Sequence, residues 1–245
     1  MNHPGAGKPD TPRLRRDAQL NTEKIKTAAL DAFQERGLDV PLEEIAQRAG
    51  VSIGTLYNRF GTREALTDVV MADVAAERLS DAVARALGCP DPWSRFASYV
   101  ELICEIQATE PALNDIVSRR HPDASRLAAV CDETMTQARQ FVEDAQRDGS
   151  LRPDFTLEDL FLVFVSNGAL MRIMADIGAD TWRRRVGFTL DGLRTDDTAS
   201  IQGRFRFDQN DVDFFFRHRH VFDSTGNDNE FSGADSNFPF AQLYQ

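Results

Sequence analysis

Between Ser52 and Arg63 the chain gathers side chains that can hydrogen-bond a polyanion and also read what it carries. Ser52, Thr55 and Tyr57 bring hydroxyls suited to phosphate oxygens, while Asn58 and Arg59 bring forks able to bond a base edge at two points. Gly54, next to Ile53, leaves out a side chain where a helix would lie close to a groove floor. Arg63 falls in the first turn of a following helix, where a cation opposes the macrodipole. An external anion at that helix start would remove the conflict, although Glu64 beside it supplies a charge of its own. The chemistry these residues suit is recognition of double-stranded DNA by a helix in the major groove. The same spacing also fits an ordinary helical hairpin with a solvated outer face.

The elements that must hold these residues are legible nearby. Glu43 and Glu44 open a helix where the positive end of the macrodipole favours acids, and Ile45, Ala46 and Ala49 give it a narrow apolar face. Gly50 supplies the backbone freedom to end it, Val51 packs into the corner, and Ser52 caps a second helix. Ile53, Leu56 and Phe60 then face inward at i, i+3 and i+7, with Tyr57 beside them. Gly61 ends this helix and Thr62 caps the next, a long one to about Leu87. Upstream, Ile25, Ala28, Ala29, Ala32 and Phe33 form the apolar stripe of a bracing helix expected to start near Thr22 and to stop at Gly37. Lys24 and Lys26 lie near its start, within reach of backbone phosphates. Residues 1–20 read as a disordered arm, in which Arg13, Arg15 and Arg16 either touch DNA or are solvated.

The net charge of −11 looks wrong for a nucleic-acid binder until it is divided. Residues 1–60 hold 9 Lys+Arg against 8 Asp+Glu, residues 61–194 hold 15 against 22, and residues 195–245 hold 4 against 9. The acid therefore lies away from the proposed DNA face, where it limits nonspecific association. No 18-residue apolar run and no charged-then-apolar start is present, so neither a membrane span nor a signal peptide is expected. Cys89, Cys104 and Cys131, odd in number and without metal-type spacing, point to a reducing cytoplasm. They read as structural thiols, with a thiol sensor as the alternative.

Beyond residue 87 the punctuation continues to mark helices. Asp91 caps one with Pro92 at its first position, Pro111 and Pro122 bracket a shorter one, and another runs from about Asp123 to Asp148. Thr156 to Asp159 resembles a capping box and opens a helix that is apolar on more than one face, before a final helix over roughly Thr181 to Leu193. About nine helices and no convincing strand precede residue 195. The expectation is all-α, with the helix-turn-helix DNA-binding domain over 21–67 and a larger helical domain over 68–195.

The segment from Ile45 resembles the DNA-binding domain of the TetR family of transcriptional regulators. The matching positions are Ile45-Ala46, Ala49-Gly50-Val51-Ser52, Gly54-Thr55-Leu56-Tyr57, Phe60, the basic Arg63 and Leu66, within a match of about 45 residues. The family usually has Lys where this chain has Arg63, and many members have a phosphate-touching Thr where this chain has Pro41. The resemblance and the residue chemistry above together give Lys24, Ser52, Ile53, Gly54, Thr55, Tyr57, Asn58, Arg59 and Arg63 as the expected DNA contacts. It implies a homodimer paired through its two last long helices, reading a palindromic operator as a repressor and released by a small-molecule effector. The effector would enter a cavity in the larger domain, for which the sequence offers Phe96, Tyr99, Ile103, Met135, Phe161, Phe164 and Met171, each of which reads more readily as plain core than as ligand wall. Asn167, polar within an apolar helix, either orients that ligand or bonds across the dimer.

The last 50 residues depart from this pattern. Nine of the 17 Phe follow residue 195, and residues 196–245 read as a disordered extension or a frameshifted terminus. His218 and His220 have no third ligand in view, so no metal is expected, and nothing in the chain calls for a cofactor. There is no Gly-rich phosphate loop, nucleophile motif or metal cluster, so the chain does not read as an enzyme. The remaining rival is a helical dimeric adaptor or ligand carrier without DNA binding.

Overall fold

Helix starts and stops mostly follow the capping residues of the sequence, with one large exception at the beginning. The computed structural model describes residues 11–119, 121–173 and 181–195, so the extension over 196–245 with His218 and His220 lies outside the described residues. Among the described residues are nine helices and no strand. They are α1 (Thr11–Arg36), α2 (Leu42–Ala49), α3 (Ile53–Phe60), α4 (Arg63–Leu87), α5 (Pro92–Thr109), α6 (Pro111–Val117), α7 (Ser125–Asp148), α8 (Leu157–Ile173) and α9 (Thr181–Leu193).

The exception is α1, which starts at Thr11 rather than near Thr22. Pro12 sits comfortably in a first turn, and the following Arg, Leu, Ala and Gln residues are good helix formers. Thr22 is not a cap: its hydroxyl donates to the Ala18 carbonyl at 2.8 Å inside the helix. Elsewhere the expected caps form. Asp91 accepts from Ser94 N at 2.8 Å. Thr156 N donates to Asp159 Oδ2 at 2.9 Å while Asp159 N donates to Thr156 Oγ1 at 3.2 Å, a reciprocal capping box with Asp in place of Glu.

Two apolar cores share α4. Its first half gives Leu66, Val70, Met71 and Ala75 to a core built with Ile25, Ala29, Ala32 and Phe33 of α1, Ile45 of α2 and Leu56 of α3. Ala112, Leu113 and Ile116 of α6 and Leu127 of α7 complete that core. Its second half gives Leu79, Ala82 and Ala86 to a core with Phe96, Tyr99 and Ile103 of α5, Phe141 of α7, Phe164 of α8 and Trp182 of α9.

A buried polar network aligns α5, α6 and α8. Gln107 Nε2 donates to Ser118 Oγ at 3.0 Å and to the Phe164 carbonyl at 2.9 Å, and Asn114 Nδ2 donates to the Gly168 carbonyl at 3.1 Å. Asn167, fully buried, donates to Gln107 Oε1 at 3.1 Å and accepts from Arg185 Nη2 of α9 at 2.8 Å. The polar residue read as a ligand or dimer contact is thus occupied inside the subunit.

The N-terminus of α7 is capped from another helix. Ala124 offers no side-chain cap, and Asp68 of α4 accepts from Leu127 N at 2.8 Å. Asp68→Ala is expected to lower stability by about 1 kcal/mol, the usual cost of a lost N-cap, measurable by urea unfolding.

Candidate nucleic-acid interface

The turn between α2 and α3 depends on Gly50, whose φ of 67° is left-handed and whose N–H bonds back to the Ala46 and Gln47 carbonyls. Val51 N also donates to the Ala46 carbonyl, at 3.0 Å, and its half-buried side chain packs on the first core. Ser52 then caps α3, accepting from Thr55 N at 3.1 Å, and its hydroxyl pairs with that of Thr55 at 2.9 Å. Along α3 only Leu56 is fully buried, with Ile53 and Phe60 half-buried against the core. Gly54, Tyr57, Asn58 and Arg59 are left exposed on one side. Tyr57, placed by the sequence beside the inward residues, is 47% exposed. Six of the expected DNA-contacting residues therefore lie on one short helix, four of them exposed, although the hydroxyls of Ser52 and Thr55 already hold each other.

Arg63 behaves differently from a free phosphate ligand. It sits half-buried at the start of α4, and its Nη1 donates to the carbonyls of Leu38 at 2.8 Å and Val40 at 2.7 Å. The cation therefore fastens α4 to the loop that precedes α2. Pro41 precedes α2 without a side-chain cap, and its carbonyl accepts from Glu44 N and Ile45 N. Ion pairs bind α2 to α1: Glu44 holds Arg36 and Arg48 at 2.7 Å each, and Arg48 also reaches Glu35. The hydrogen bond from Arg48 holds the Glu44 carboxyl below its usual range, with Arg36 adding to the effect. Lys24 is exposed on α1 and Lys26 pairs with Glu23 at 3.1 Å.

Two family models match successive parts of the chain. Residues 25–70 match the bacterial regulatory proteins of the tetR family, and residues 91–195 match the SbtR-like transcriptional regulator C-terminal domain. The chain belongs to the TetR family. It is a transcriptional regulator with a DNA-binding helix-turn-helix. It is 25% identical over 159 residues to the HTH-type transcriptional regulatory protein RaaS of Mycobacterium tuberculosis, covering 64% of this chain and 73% of that protein. It is also 25% identical over 187 residues to the HTH-type transcriptional regulator UidR of Escherichia coli, covering 74% and 93%. The ketosteroid transcriptional regulator KstR2 of Mycobacterium tuberculosis shares the fold, with a TM-score of 0.52, 18% identity and coverage of 72% and 95%. These relatives are transcriptional regulators rather than enzymes. Among the described residues no helix is long and apolar enough to cross a membrane.

The residues offered for a ligand cavity fall into two groups. Phe96, Tyr99, Ile103 and Phe164 come together in the second core, where Tyr99 lies 5.3 Å from the Phe141 ring and 6.0 Å from that of Phe164. Met171 packs against that core, while Met135 and Phe161 are half-buried. A cleft of about 340 Å³ opens elsewhere, between Gln34 of α1, Met71 and Arg78 of α4, and Glu110 and Leu113 at the α5–α6 junction. It shares no residue with the expected pocket. It is a groove where helices diverge, spanned by the Arg78–Glu110 ion pair at 3.3 Å.

Sequence reading missed the structural use of Arg63, since side chain and acceptors are more than 20 positions apart. It also left the thiols open between two roles. Burial pushes Cys104 up to about 12 and Cys131 up to about 11. At pH 8 the buried Cys104 remains a thiol, so a thiol reagent added to the folded protein should leave Cys104 unlabelled until denaturant is added, with the half-buried Cys131 labelled first of the two; mass spectrometry of the labelled peptides checks this. Arg63→Ala should cost about 2 kcal/mol of stability by freeing two carbonyls from a charged donor, read as a lowered urea midpoint with no DNA present.

Proposed function

We propose that this protein is a repressor that binds a palindromic operator as a homodimer and leaves it when a small molecule enters the second core. The observation that carries the DNA-reading role is the exposed side of α3, where Gly54, Tyr57, Asn58 and Arg59 stand together while Leu56 anchors the helix from behind. Asn58 and Arg59 are assigned to base edges, Tyr57, Thr55 and Ser52 to phosphates, and Lys24 to the neighbouring backbone. Ile53, half-buried at the helix start, supplies apolar contact. Arg63 acts through the loop it fastens and adds positive charge at the start of α4. We assign residues 21–67 to DNA binding and 68–195 to effector binding and dimerisation.

The outer faces of α8 and α9 support the dimer. Ile173 is 77% exposed and Phe188 63% exposed, and Phe161, Leu162 and Val165 of α8 are only half-buried. A helix with apolar residues on both sides needs a second partner. Two such subunits would set their reading helices about 34–36 Å apart, one turn of DNA. The effector role is supported by the aromatic composition of the second core, which favours a mainly apolar molecule.

Gly54→Ala separates DNA reading from folding. A Cβ there meets only Ser52 Oγ, at 3.8 Å, so the variant should fold with equal or higher stability. Its added methyl lies on the exposed side of α3 and should weaken binding to DNA selected from random sequence by the wild-type protein. Asn58→Ala should in addition change the selected sequence, with a loss of about 1–3 kcal/mol at one base pair. Wild-type protein that selects no DNA would favour the adaptor role instead, and equal binding by the Gly54 and Asn58 variants would remove α3 from the interface.

A further inference from the structure

Asp115 of α6 lies more than 50 positions along the chain from every residue assigned to DNA contact, yet its carboxylate is built into the start of the reading head. The side chain is 7% exposed. Its Oδ2 accepts from Leu38 N at 2.7 Å, in the loop between α1 and α2. Its Oδ1 receives Arg119 Nη2 from just beyond α6 and Arg172 Nη1 of α8, the latter at 2.7 Å. Arg119 in turn grips both oxygens of Asp39 in the same loop, at 2.8 and 2.7 Å. Two carboxylates and two guanidiniums thus balance in charge around one loop. Gly37 shows how close the approach is: a Cβ there would stand 2.5 Å from Asp115 Oδ2, and its φ is +82°.

The loop is held from both sides. Arg63 takes the Leu38 and Val40 carbonyls from the reading-head side, and Asp115 takes the Leu38 N–H from the other. The loop leads directly into Pro41 and α2, so its position sets where α2 and α3 stand relative to α4. Among the described residues, no acceptor meets the buried Nε of Arg119.

We propose that Asp115 is a positioning residue for DNA binding, and that the chain Arg172–Asp115–Leu38 carries the position of α8 into the loop that opens the helix-turn-helix. The role rests on the DNA-reading function assigned to α3. It adds a route from α8 to the head that does not pass along α4. Any rearrangement of α8 that withdraws Arg172 leaves a buried carboxylate held by fewer donors, and the Leu38 N–H is the bond that shares its charge. Asp115 touches no DNA in this scheme, so it alters where the reading helix stands and leaves its contacts intact.

The test uses the full-length chain and a DNA fragment selected by the wild-type protein. Arg172 is 41% exposed, so Arg172→Gln can be made without emptying a core. Arg172→Gln is expected to weaken binding by roughly 2- to 30-fold, the range that coupling residues span. The slope of log affinity against log salt should stay unchanged, because no phosphate contact is lost. Amide exchange at Leu38, measured by NMR without DNA, should accelerate, and Arg172→Lys should restore affinity at least in part. Asp115→Asn, nearly isosteric, should weaken binding in the same way. Unchanged affinity in both Arg172→Gln and Asp115→Asn overturns the positioning role while leaving DNA reading intact. A salt slope reduced by about 1 in Arg172→Gln also overturns it, since that marks a direct phosphate contact. Wild-type protein that selects no DNA overturns the reading function and the positioning role together, and is told apart by the failure of the parent protein itself.

Discussion

Gly168 has no side chain, and the placement of α8 against its neighbours follows from that. Its carbonyl receives Asn114, while a Cβ at the position would collide with Ser118 Oγ and Asn114 Oδ1. Gln107 completes the contact by bonding both Ser118 and the Phe164 carbonyl one turn earlier. Amides and hydroxyls buried to this degree cost about 1–3 kcal/mol each if left unmatched. Only a narrow set of helix positions satisfies them together. The network is therefore directional, where an apolar contact of equal area would tolerate sliding. With α8 pinned on this side, its remaining apolar surface stays turned outward.

The same arrangement gives the small helix-turn-helix its support. Helices α2 and α3 have eight residues each, too short to be stable alone in water. Their core is finished by Ala112, Leu113 and Ile116 of α6 and Leu127 of α7, and their loop is held by Asp115. The reading head is in this sense folded by the rest of the chain, which ties its geometry to whatever happens at α6.

Local rules were legible in the sequence because they act over three or four residues. Gly50 at the turn, Ser52 and Thr62 as caps, Asp91 with Pro92, and the Thr156–Asp159 box all act where their spacing placed them. The inward set of α3 was correct for Leu56 and only partly so for its neighbours, because a short helix lying on a core buries one line of side chains. What the sequence concealed is long-range pairing of polar groups. Asp115 with Leu38, Asp68 with Leu127 and Asn167 with Arg185 join residues that are 18 to 77 positions apart. No periodicity marks such partners. Asn167 stood out as polar in an apolar run, but the run cannot say whether its partner is a ligand, another subunit or Gln107. The early start of α1 was hidden by Thr22, whose type suits a cap and whose hydroxyl instead bonds back within the helix.

Because α4 is one uninterrupted helix of 25 residues, it is a rod about 37 Å long with one end in each core. Rods convert angle into displacement. A tilt of about 3° pivoting at the Leu79–Ala86 end carries Arg63 by roughly 1.5 Å, at about 1.5 Å of rise per residue. A hydrogen bond to a base edge tolerates only a few tenths of an ångström of stretch before it is lost. If α3 reads bases as proposed, the leverage of a single helix would let a change small enough to leave every core residue buried decide whether a base can be reached.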